Sequence, residues 1–444
     1  MSVRNFIESL TPRTAGLLAF IYICLVHALY VFFWGVDVPM WDQWDAEAEW
    51  YKRLVDGTWD LPGLIAPHNE HRIAFTRIFN GVLFVLAGGW RPILVMYAQI
   101  PLFAFSVALL CAWLIKFVEK RRFAAIALTV LAFSLPFSYA NILNGFQNQF
   151  YFMLLFGLVA IYLAAISESM LVLLLAVVLA LVSPFTVAGG IGTIIVLLGL
   201  IFLRMFEPGR RRVLCGLFLF ILSVGIILHL RLLVHPPHHD SLHAKNIKEF
   251  MVSFLKILGW PYIPVGFLSW SAIILAVFSW LRRTGGLRKA LALLSGPQRL
   301  ALGLLAWYLF QAVATAYART HADLMSSRYQ QIFALIIPIT FITMGVFGYH
   351  IARERLVRWA YAILVVGLLI RSNRELPYLQ RTVENSHFAR QAILQSVQKN
   401  DFALLKVQDS DGKLGYFHAE RIWEQINSPE LRGRHLWLRS SVNK

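Results

Sequence analysis

Charged residues are scarce in this sequence: they make up 15% of the chain, whereas 58% of its residues are hydrophobic. A water-soluble protein of 444 residues needs more polar surface to cover its core, so this composition excludes a soluble globular fold. It also excludes a disordered chain, a collagen and a coiled coil. Cysteine is rare as well. The three cysteines, Cys24, Cys111 and Cys215, lie inside apolar runs, so we expect no disulfide framework.

Long apolar runs dominate the chain, whose mean hydropathy is +0.62. A membrane-spanning helix needs roughly 17 to 25 consecutive apolar residues. By this criterion the sequence predicts an all-α polytopic membrane protein with about eleven transmembrane helices. The expected spans are 15–35, 91–117, 123–139, 148–166, 169–187, 190–206, 213–234, 262–281, 298–318, 329–349 and 355–371. Residues 73–86 are also apolar, but they are short and begin at basic residues, so they predict an interfacial helix.

Acidic residues are outnumbered by Lys and Arg, 24 to 41, which gives a net charge of +17. The basic residues do not gather on a soluble module, so nucleic acid is not an expected partner. They form short clusters between spans, at 116–122, 204–212, 282–289 and 353–358. Cytoplasmic loops carry such clusters under the positive-inside rule. With Arg4 and Arg13 before the first span, the rule predicts a cytoplasmic N-terminus and, after an odd number of spans, an external C-terminus.

Two domains are expected from this layout. Residues 1–371 form the transmembrane domain, and they include a first outer loop at 36–90. Residues 372–444 are polar and predict a small external α+β domain, with helices near 382–398 and 419–425 and a turn at 409–413. A chain segment of about 70 residues is marginal as an independent fold.

The first outer loop carries a third of the acidic residues of the chain. They are Asp37, Asp42, Asp45, Glu47, Glu49, Asp56, Asp60 and Glu70. A partly desolvated carboxylate at a membrane surface can remove a proton from a sugar hydroxyl. Asp42 and Asp45 are the best candidates, because Trp41 and Trp44 flank them just beyond the first span. The alternative for the other acids is the solvated face of a loop that contains a short helix near 46–54.

The segment His68-Asn-Glu-His-Arg72 places two imidazoles, the carboxylate of Glu70 and a guanidinium at the expected start of the interfacial helix. Zinc sites of the HExxH type need histidines four residues apart, whereas His68 and His71 are three apart, which disfavours zinc. Arg72 and a helix N-terminus both favour phosphate. We therefore expect this segment to bind an anionic headgroup.

Arg328 and Tyr329 lie where the chain re-enters the membrane. An Arg at that depth is costly unless it has a partner, and a lipid phosphate is the partner we expect. The alternative is an interfacial anchor that extends its charge to the surface.

Two further polar insertions interrupt the apolar runs. Asn144, Gln147 and Asn148 belong to an amide-rich segment that can hydrogen-bond sugar hydroxyls, or simply cap helices. The histidine-rich segment 235–243 can hold a metal ion, but its two prolines suit a plain exposed loop equally well.

A first span, an acid-bearing outer loop with two interfacial helices, and many further spans form a recognisable layout. Four motifs accompany it: Trp-Asp-Gln-Trp at 41–44, His-Asn-Glu-His-Arg at 68–72, Asn-Gly-Phe-Gln at 144–147 and Ser-Arg-Tyr at 327–329. The combination resembles the GT-C superfamily of membrane glycosyltransferases, including bacterial proteins related to O-antigen glucosyltransferases. The resemblance covers residues 15–371.

This resemblance implies an inverting glycosyltransferase of the bacterial inner membrane that acts on the periplasmic side. Its donor would be a sugar on polyprenyl phosphate, and its acceptor an envelope glycan or glycolipid such as lipopolysaccharide. Asp42, or Asp45, would be the general base. The donor phosphate would lie near Arg328, Arg72, His71 and Tyr329, and the substrates near Glu70, His68, Asn144, Gln147 and Asn148. Because the loop has no Asp-X-Asp pair, no metal ligands are assigned, and a divalent cation stays an open cofactor.

Two alternatives to this interpretation are a transporter or flippase and a polymerase or ligase of lipid-linked glycans. Transport would need charged residues at mid-span depth, whereas the apolar runs here are nearly free of charge. A polymerase or ligase would favour a large outer loop late in the chain. The acid-rich first loop favours the glycosyltransferase.

Overall fold

Helices are the dominant element of the computed structural model, which describes residues 10–205, 212–351, 353–409, 413–416 and 418–439. Nine helices in these ranges are long and apolar enough to cross a membrane, so the chain is a polytopic α-helical protein. They are Pro12–Trp34, Pro92–Phe117, Arg122–Ile142, Gly145–Ile166, Arg212–Leu232, Ile263–Thr284, Gly296–Ala318, Ser327–Val346 and Glu354–Lys399. The predicted contribution of Arg4, and most of the turn predicted at 409–413, lie outside the described residues.

Two of the eleven predicted spans coincide with shorter apolar helices, Met170–Phe185 and Ala188–Arg204. The segment predicted to be an interfacial helix forms a third short helix, Ala74–Ala87. The predicted number of spans therefore exceeds the number of long helices by two, and the exact count stays a prediction.

The first loop contains the other short elements before the second span. Gln43–Glu47 forms one π-helical turn and continues directly into helix Ala48–Asp56. Helix Leu61–Leu64 begins after Asp60, whose carboxylate caps it by accepting a bond from the amide of Gly63. Two short antiparallel strands, Pro67–His68 and His71–Arg72, form a hairpin.

Small residues let the spanning helices approach closely. A side chain at Gly16 would lie 3.1 Å from the carbonyl oxygen of Ala108, so helices Pro12–Trp34 and Pro92–Phe117 meet almost backbone to backbone. Without a hydrophobic driving force between helices in lipid, such close packing supplies the attraction.

The basic clusters gather at one end of the bundle, which we call the basic end. Arg121 donates to the carbonyl oxygen of Ile351 at 3.0 Å and pairs with Glu354 at 2.8 Å, Arg283 donates to the carbonyl of Phe347, and Arg299 donates to the carbonyl of Ala165 at 3.2 Å. The first loop and the segments 233–246 and 319–326 lie at the opposite end, the loop end.

The described part of the tail, residues 372–409, 413–416 and 418–439, is helical. Helix Glu354–Lys399 runs without a break through residue 371, and Phe402–Asp409, Ala419–Asn427 and Leu436–Arg439 follow. The strands expected for an α+β domain are not found in these residues, where the β-type pairing is a single bridge between Trp90 and His435. This bridge is a backbone contact between the tail and the first loop.

The tail and the first loop share one apolar core, which we call the loop–tail core. Trp44, Tyr51 and Trp90 of the loop are buried together with Ile393 and Trp437 of the tail. The rings of Trp44 lie 5.4 Å from Trp90 and 6.0 Å from Trp437, in edge-to-face arrangements that aromatic pairs favour. The tail is therefore packed onto the loop rather than attached by a linker alone.

Candidate functional site

A cavity of about 230 Å³ opens at the loop end, where the first loop meets two later loops. It is smaller than typical small-molecule pockets of roughly 300 to 1,000 Å³, so it suits a headgroup or a single sugar better than a whole lipid. Its polar lining consists of Asp42, His68, Asn69, Glu70, His71, Gln149, His239, Arg319, Asp323, Ser326, Arg328 and Tyr329, and Phe146 and Phe150 are among its apolar walls.

The histidine motif lies in the hairpin of the first loop, and the prediction that it starts a helix is wrong. His68 and His71 are paired across the two strands, and the turn between them places Asn69 at φ +51°. Asparagine tolerates this left-handed conformation better than most residues. The turn thus places both imidazoles and Glu70 at the cavity, while helix Ala74–Ala87 begins two residues later.

Asp42 faces the cavity from the residue before the π-helical turn. Its Oδ1 lies 3.7 Å from Nε2 of His68, and 37% of its side chain is exposed. Burial would raise the pKa of Asp42, but His68 and the charges of Arg328 and His71 lower it below the usual value. Asp42 is therefore ionised at neutral pH and can accept a proton or a hydrogen bond from a hydroxyl.

Glu70 forms ion pairs with basic residues that line the cavity. It pairs with Arg319 and with Nδ1 of His239, the latter at 2.7 Å, and Nε2 of His71 lies 3.5 Å away. Burial opposes ionisation of Glu70, but the charges of His71, Arg319 and His239 lower its pKa to about 2. The Glu70 carboxylate thus neutralises Arg319, which also donates to the hydroxyl of Tyr329 at 3.1 Å.

His71 is a neutral imidazole at physiological pH. Its burial, together with the charges of Arg319, His68 and Arg328, lowers its pKa to about 4 in spite of the nearby Glu70. Among the described residues its buried Nδ1 has no hydrogen-bond partner. A bound molecule in the cavity can supply that partner.

Arg328 is the exposed cation at the cavity wall. Within the described residues no carboxylate pairs with its guanidinium, which lies 5.7 Å from the ring centre of Tyr329. Its backbone is fixed, because Asn141 donates to the Arg328 carbonyl at 2.9 Å and the amide of Ala140 donates to Ser327 at 3.0 Å. A fixed backbone with an unpaired charge suits an anion that arrives from outside.

Asp45 does not line this cavity. Its carboxylate accepts hydrogen bonds from the hydroxyl of Tyr416 and, at 3.1 Å, from Nε of Arg421. Both partners belong to the tail. The structure therefore separates the two candidate bases: Asp42 faces the cavity, and Asp45 binds the tail.

Arg72 also lies outside the cavity. Its guanidinium donates to the backbone carbonyls of Ile65 and, at 2.8 Å, Leu232. These bonds tie the hairpin to the end of helix Arg212–Leu232. These bonds make Arg72 a structural contact between the hairpin and the helix, and its role at a donor phosphate stays a prediction.

The amides expected to touch a substrate are buried beside the cavity instead. Asn144 caps a helical turn by accepting a bond from the amide of Phe146 at 2.9 Å, and Gln147 accepts one from Gln149. Asn148 donates to Asn80 at 2.7 Å and accepts from Thr76 at 2.6 Å. Of this segment it is Gln149, with its neighbours Phe146 and Phe150, that lines the cavity.

Reasoning from the sequence missed six polar residues of the cavity as sites: Asn69, Gln149, His239, Arg319, Asp323 and Ser326. Each lies in a segment that the sequence marked as polar, but nothing in the sequence pairs Arg319 with Glu70, 249 residues away. The histidine-rich loop contributes His239 through an ion pair with Glu70. Among the described residues, no group of three His, Cys, Asp or Glu side chains is placed to hold a metal ion.

The cavity thus combines an ionised carboxylate, an unpaired guanidinium and a neutral imidazole. Comparison with family models, curated proteins and solved structures found no match to this chain. The chemistry of the site is therefore inferred from the side chains that line the cavity. Asp42 can accept a proton from a hydroxyl, and Arg328 can bind a phosphate.

Proposed function

We propose that this protein is a membrane glycosyltransferase of the GT-C kind, which moves a sugar from a polyprenyl phosphate to an envelope glycan or glycolipid. The supporting observation is that Asp42 and Arg328 line one cavity without pairing with each other. In an inverting transfer, the acceptor attacks the face of the sugar opposite the leaving group. A base and a phosphate-binding cation that line one cavity without pairing suit this geometry.

In the proposed reaction the acceptor hydroxyl attacks the anomeric carbon while the bond from that carbon to the phosphate oxygen breaks. The electron pair leaves with the polyprenyl phosphate, and the hydroxyl proton passes to Asp42. The transition state has oxocarbenium character. The hydroxyl therefore becomes acidic as the new bond forms, and a carboxylate of low pKa is a sufficient base.

Arg328 stabilises the charge that develops on the departing phosphate. Preorganised charges in a site shielded from water are the largest single contribution in many enzymes. Glu70 and Arg319 neutralise each other in this proposal and hold Tyr329 and the hairpin in place. His71, neutral at physiological pH, offers its unpartnered Nδ1 to a hydroxyl or a phosphate oxygen.

The size of the cavity supports a lipid donor that is only partly enclosed. About 230 Å³ accommodates the sugar and phosphate, whereas the prenyl chain would lie in the bilayer against the apolar helices. We place the reaction on the periplasmic side of a bacterial inner membrane, because the cavity is at the end of the bundle opposite the basic clusters.

The first test is mass spectrometry of envelope glycans and polyprenyl-linked sugars from cells that lack the protein. We expect one sugar to be missing from a glycan and its lipid-linked donor to accumulate. Wild-type protein should restore the glycan. Asp42→Asn should not restore it, although this variant should fold and insert, because an amide cannot accept the proton.

Asp56→Asn is the matched control, since Asp56 is an exposed acid of the same loop outside the cavity. It should restore the glycan fully. Restoration by Asp42→Asn would remove Asp42 as the base. An unchanged glycan profile in cells that lack the protein would contradict the proposed function and favour transport.

A further inference from the structure

The backbone just before Asp42 is strained and is held by the tail. Trp41 has φ +53°, a left-handed conformation that is uncommon for a residue other than glycine. Its amide donates to the carbonyl oxygen of Gly415 at 2.7 Å. Strain of this kind persists only where the surrounding structure enforces it. The bond from Trp41 to the tail is part of that enforcement.

Gly415 fits this contact because it has no side chain. It has φ +66°, and a side-chain carbon at this position would overlap the side chain of Met40. Met40 also donates its backbone amide to Gln43 at 3.0 Å, at the start of the π-helical turn. The tail therefore presses against the chain on the N-terminal side of Asp42.

Two tail side chains hold the chain on the other side of Asp42. Tyr416 donates its hydroxyl to Asp45, and Arg421 donates to Asp45 at 3.1 Å and to Glu49 at 2.6 Å. Burial, and then the Asp45 carboxylate, raise the pKa of Tyr416 well above its ordinary value. The hydroxyl therefore stays protonated and remains a donor at every physiological pH.

We propose that the tail is a positioning element of the proposed active site: Gly415 holds the loop before Asp42, and Tyr416 and Arg421 hold it after Asp42, so that the Asp42 carboxylate is fixed between them. The inference rests on the proposed function, since Asp42 has to be the base for its position to matter. The proton acceptor of the membrane domain is thus set in place from a segment more than 370 residues away in sequence. Neither Tyr416 nor Arg421 lines the cavity, so both act through the loop.

Hydrogen–deuterium exchange on the purified full-length protein tests whether the tail holds the loop around Asp42. Tyr416→Phe and Arg421→Gln each remove donors to Asp45, and a hydrogen bond to a charged group contributes more to stability than one between neutral groups. We expect exchange over residues 40–47 to rise at least about tenfold, which corresponds to roughly 1.4 kcal/mol. Lys406→Gln is the matched control, because it breaks the exposed tail pair between Lys406 and Glu420 and should leave this exchange unchanged.

Glycan restoration in cells tests the catalytic part with the same variants. We expect Arg421→Gln to lower the rate of transfer by about tenfold or more, Arg421→Lys to recover part of it, and Lys406→Gln to match wild type. With membranes and extracted donor, the loss should appear in kcat and not in KM, because in the proposed function the donor phosphate binds at Arg328, which neither Tyr416 nor Arg421 contacts.

The outcomes separate the two proposals. Unchanged exchange over 40–47, or full transfer by Arg421→Gln, would overturn the positioning role while Asp42→Asn still abolishes transfer. An unchanged glycan profile in cells that lack the protein would overturn the proposed function, and with it the catalytic part of this inference. A loss seen only in KM would also overturn it, since it would place the tail at substrate binding.

Discussion

Asp42 and Asp45 are three residues apart, yet their carboxylates serve different parts of the molecule. Asp42 faces His68 and Arg328 in the cavity, and Asp45 is held by Tyr416 and Arg421. The difference follows from their positions in the backbone. Asp42 precedes the π-helical turn, whereas Asp45 lies within it and bonds to the tail. In the proposed function, only Asp42 is placed to be the base.

Arg328 is the residue whose charge we expect to bind the donor phosphate. Arg328→Ala should weaken the binding of a polyprenyl phosphate about 10- to 100-fold, since a hydrogen bond to a charged group is worth roughly 1.5 to 3 kcal/mol. The affinity of Arg328→Lys should lie between those of wild type and Arg328→Ala, because Lys keeps the charge but cannot form two parallel hydrogen bonds to a phosphate. Titration of the detergent-solubilised protein with polyprenyl phosphate measures this. Equal affinities for wild type and Arg328→Ala would show that the phosphate binds elsewhere.

Glu47, the last residue of the π-helical turn, carries a buried carboxylate that makes stability depend on pH. Burial raises its pKa to about 7, although Gln43, Asn80 and Tyr51 donate hydrogen bonds to it. Between its ordinary pKa of 4.5 and about 7, the unfolded chain releases this proton and the folded protein keeps it. Stability therefore falls as pH rises through that window. Above the window both states are ionised.

Glu47→Gln should remove this contribution, because glutamine does not titrate. We expect the difference between the thermal midpoints at pH 5 and pH 7.5, measured in detergent, to be smaller in Glu47→Gln than in wild type. Asp56→Asn, which changes an exposed acid at the end of the same helical segment, should keep the wild-type difference. An identical difference in wild type and Glu47→Gln would place the proton on another group.

Short elements of the first loop were harder to predict than the long ones. Apolar runs predict spanning helices because only a continuous helix satisfies its backbone groups in lipid. The hairpin at 67–72 has no such signal: two residues per strand give no alternation to read. The hairpin is stabilised by the turn at Asn69 and by the ion pairs of Glu70 with Arg319 and His239. Both partners are distant in sequence.

The turn of the hairpin can be tested at Asn69, whose φ is +51°. Asn69→Gly should be neutral, because glycine adopts this conformation freely. Asn69→Val should cost roughly 1 to 2 kcal/mol, since a β-branched residue opposes positive φ. The displaced His68 and His71 should then lower glycan restoration. Exchange rates of residues 66–73 measure the local effect, and equal rates in Asn69→Val and Asn69→Gly would contradict the turn's role.

At the scale of the whole molecule, the two ends of the bundle differ in charge. Arg121, Arg283 and Arg299 are tied to neighbouring segments at the basic end, whereas the cavity, the first loop and the tail share the loop end. The clusters were visible in the sequence as separate runs. Their convergence on one end, and the joint core of the loop and the tail, depend on packing between distant segments.

The difference between the ends predicts the orientation of the protein. Lys and Arg are retained on the cytoplasmic side of a membrane, so the basic end should be cytoplasmic and the cavity and tail external. Cysteines placed at exposed sites report this with a thiol reagent that does not cross membranes. Lys406→Cys in the tail should react in intact cells, and Lys289→Cys at the basic end only after the membrane is opened.

The native cysteines serve as the internal control for this labelling. Cys111 and Cys215 are buried and Cys24 is partly buried, all within apolar helices, so wild type should stay unlabelled in intact cells. If Lys289→Cys were labelled in intact cells and Lys406→Cys were not, the cavity would face the cytoplasm. A sugar acceptor of the outer envelope would then be out of reach of Asp42, so this reversed result would contradict the proposed acceptor as well as the orientation.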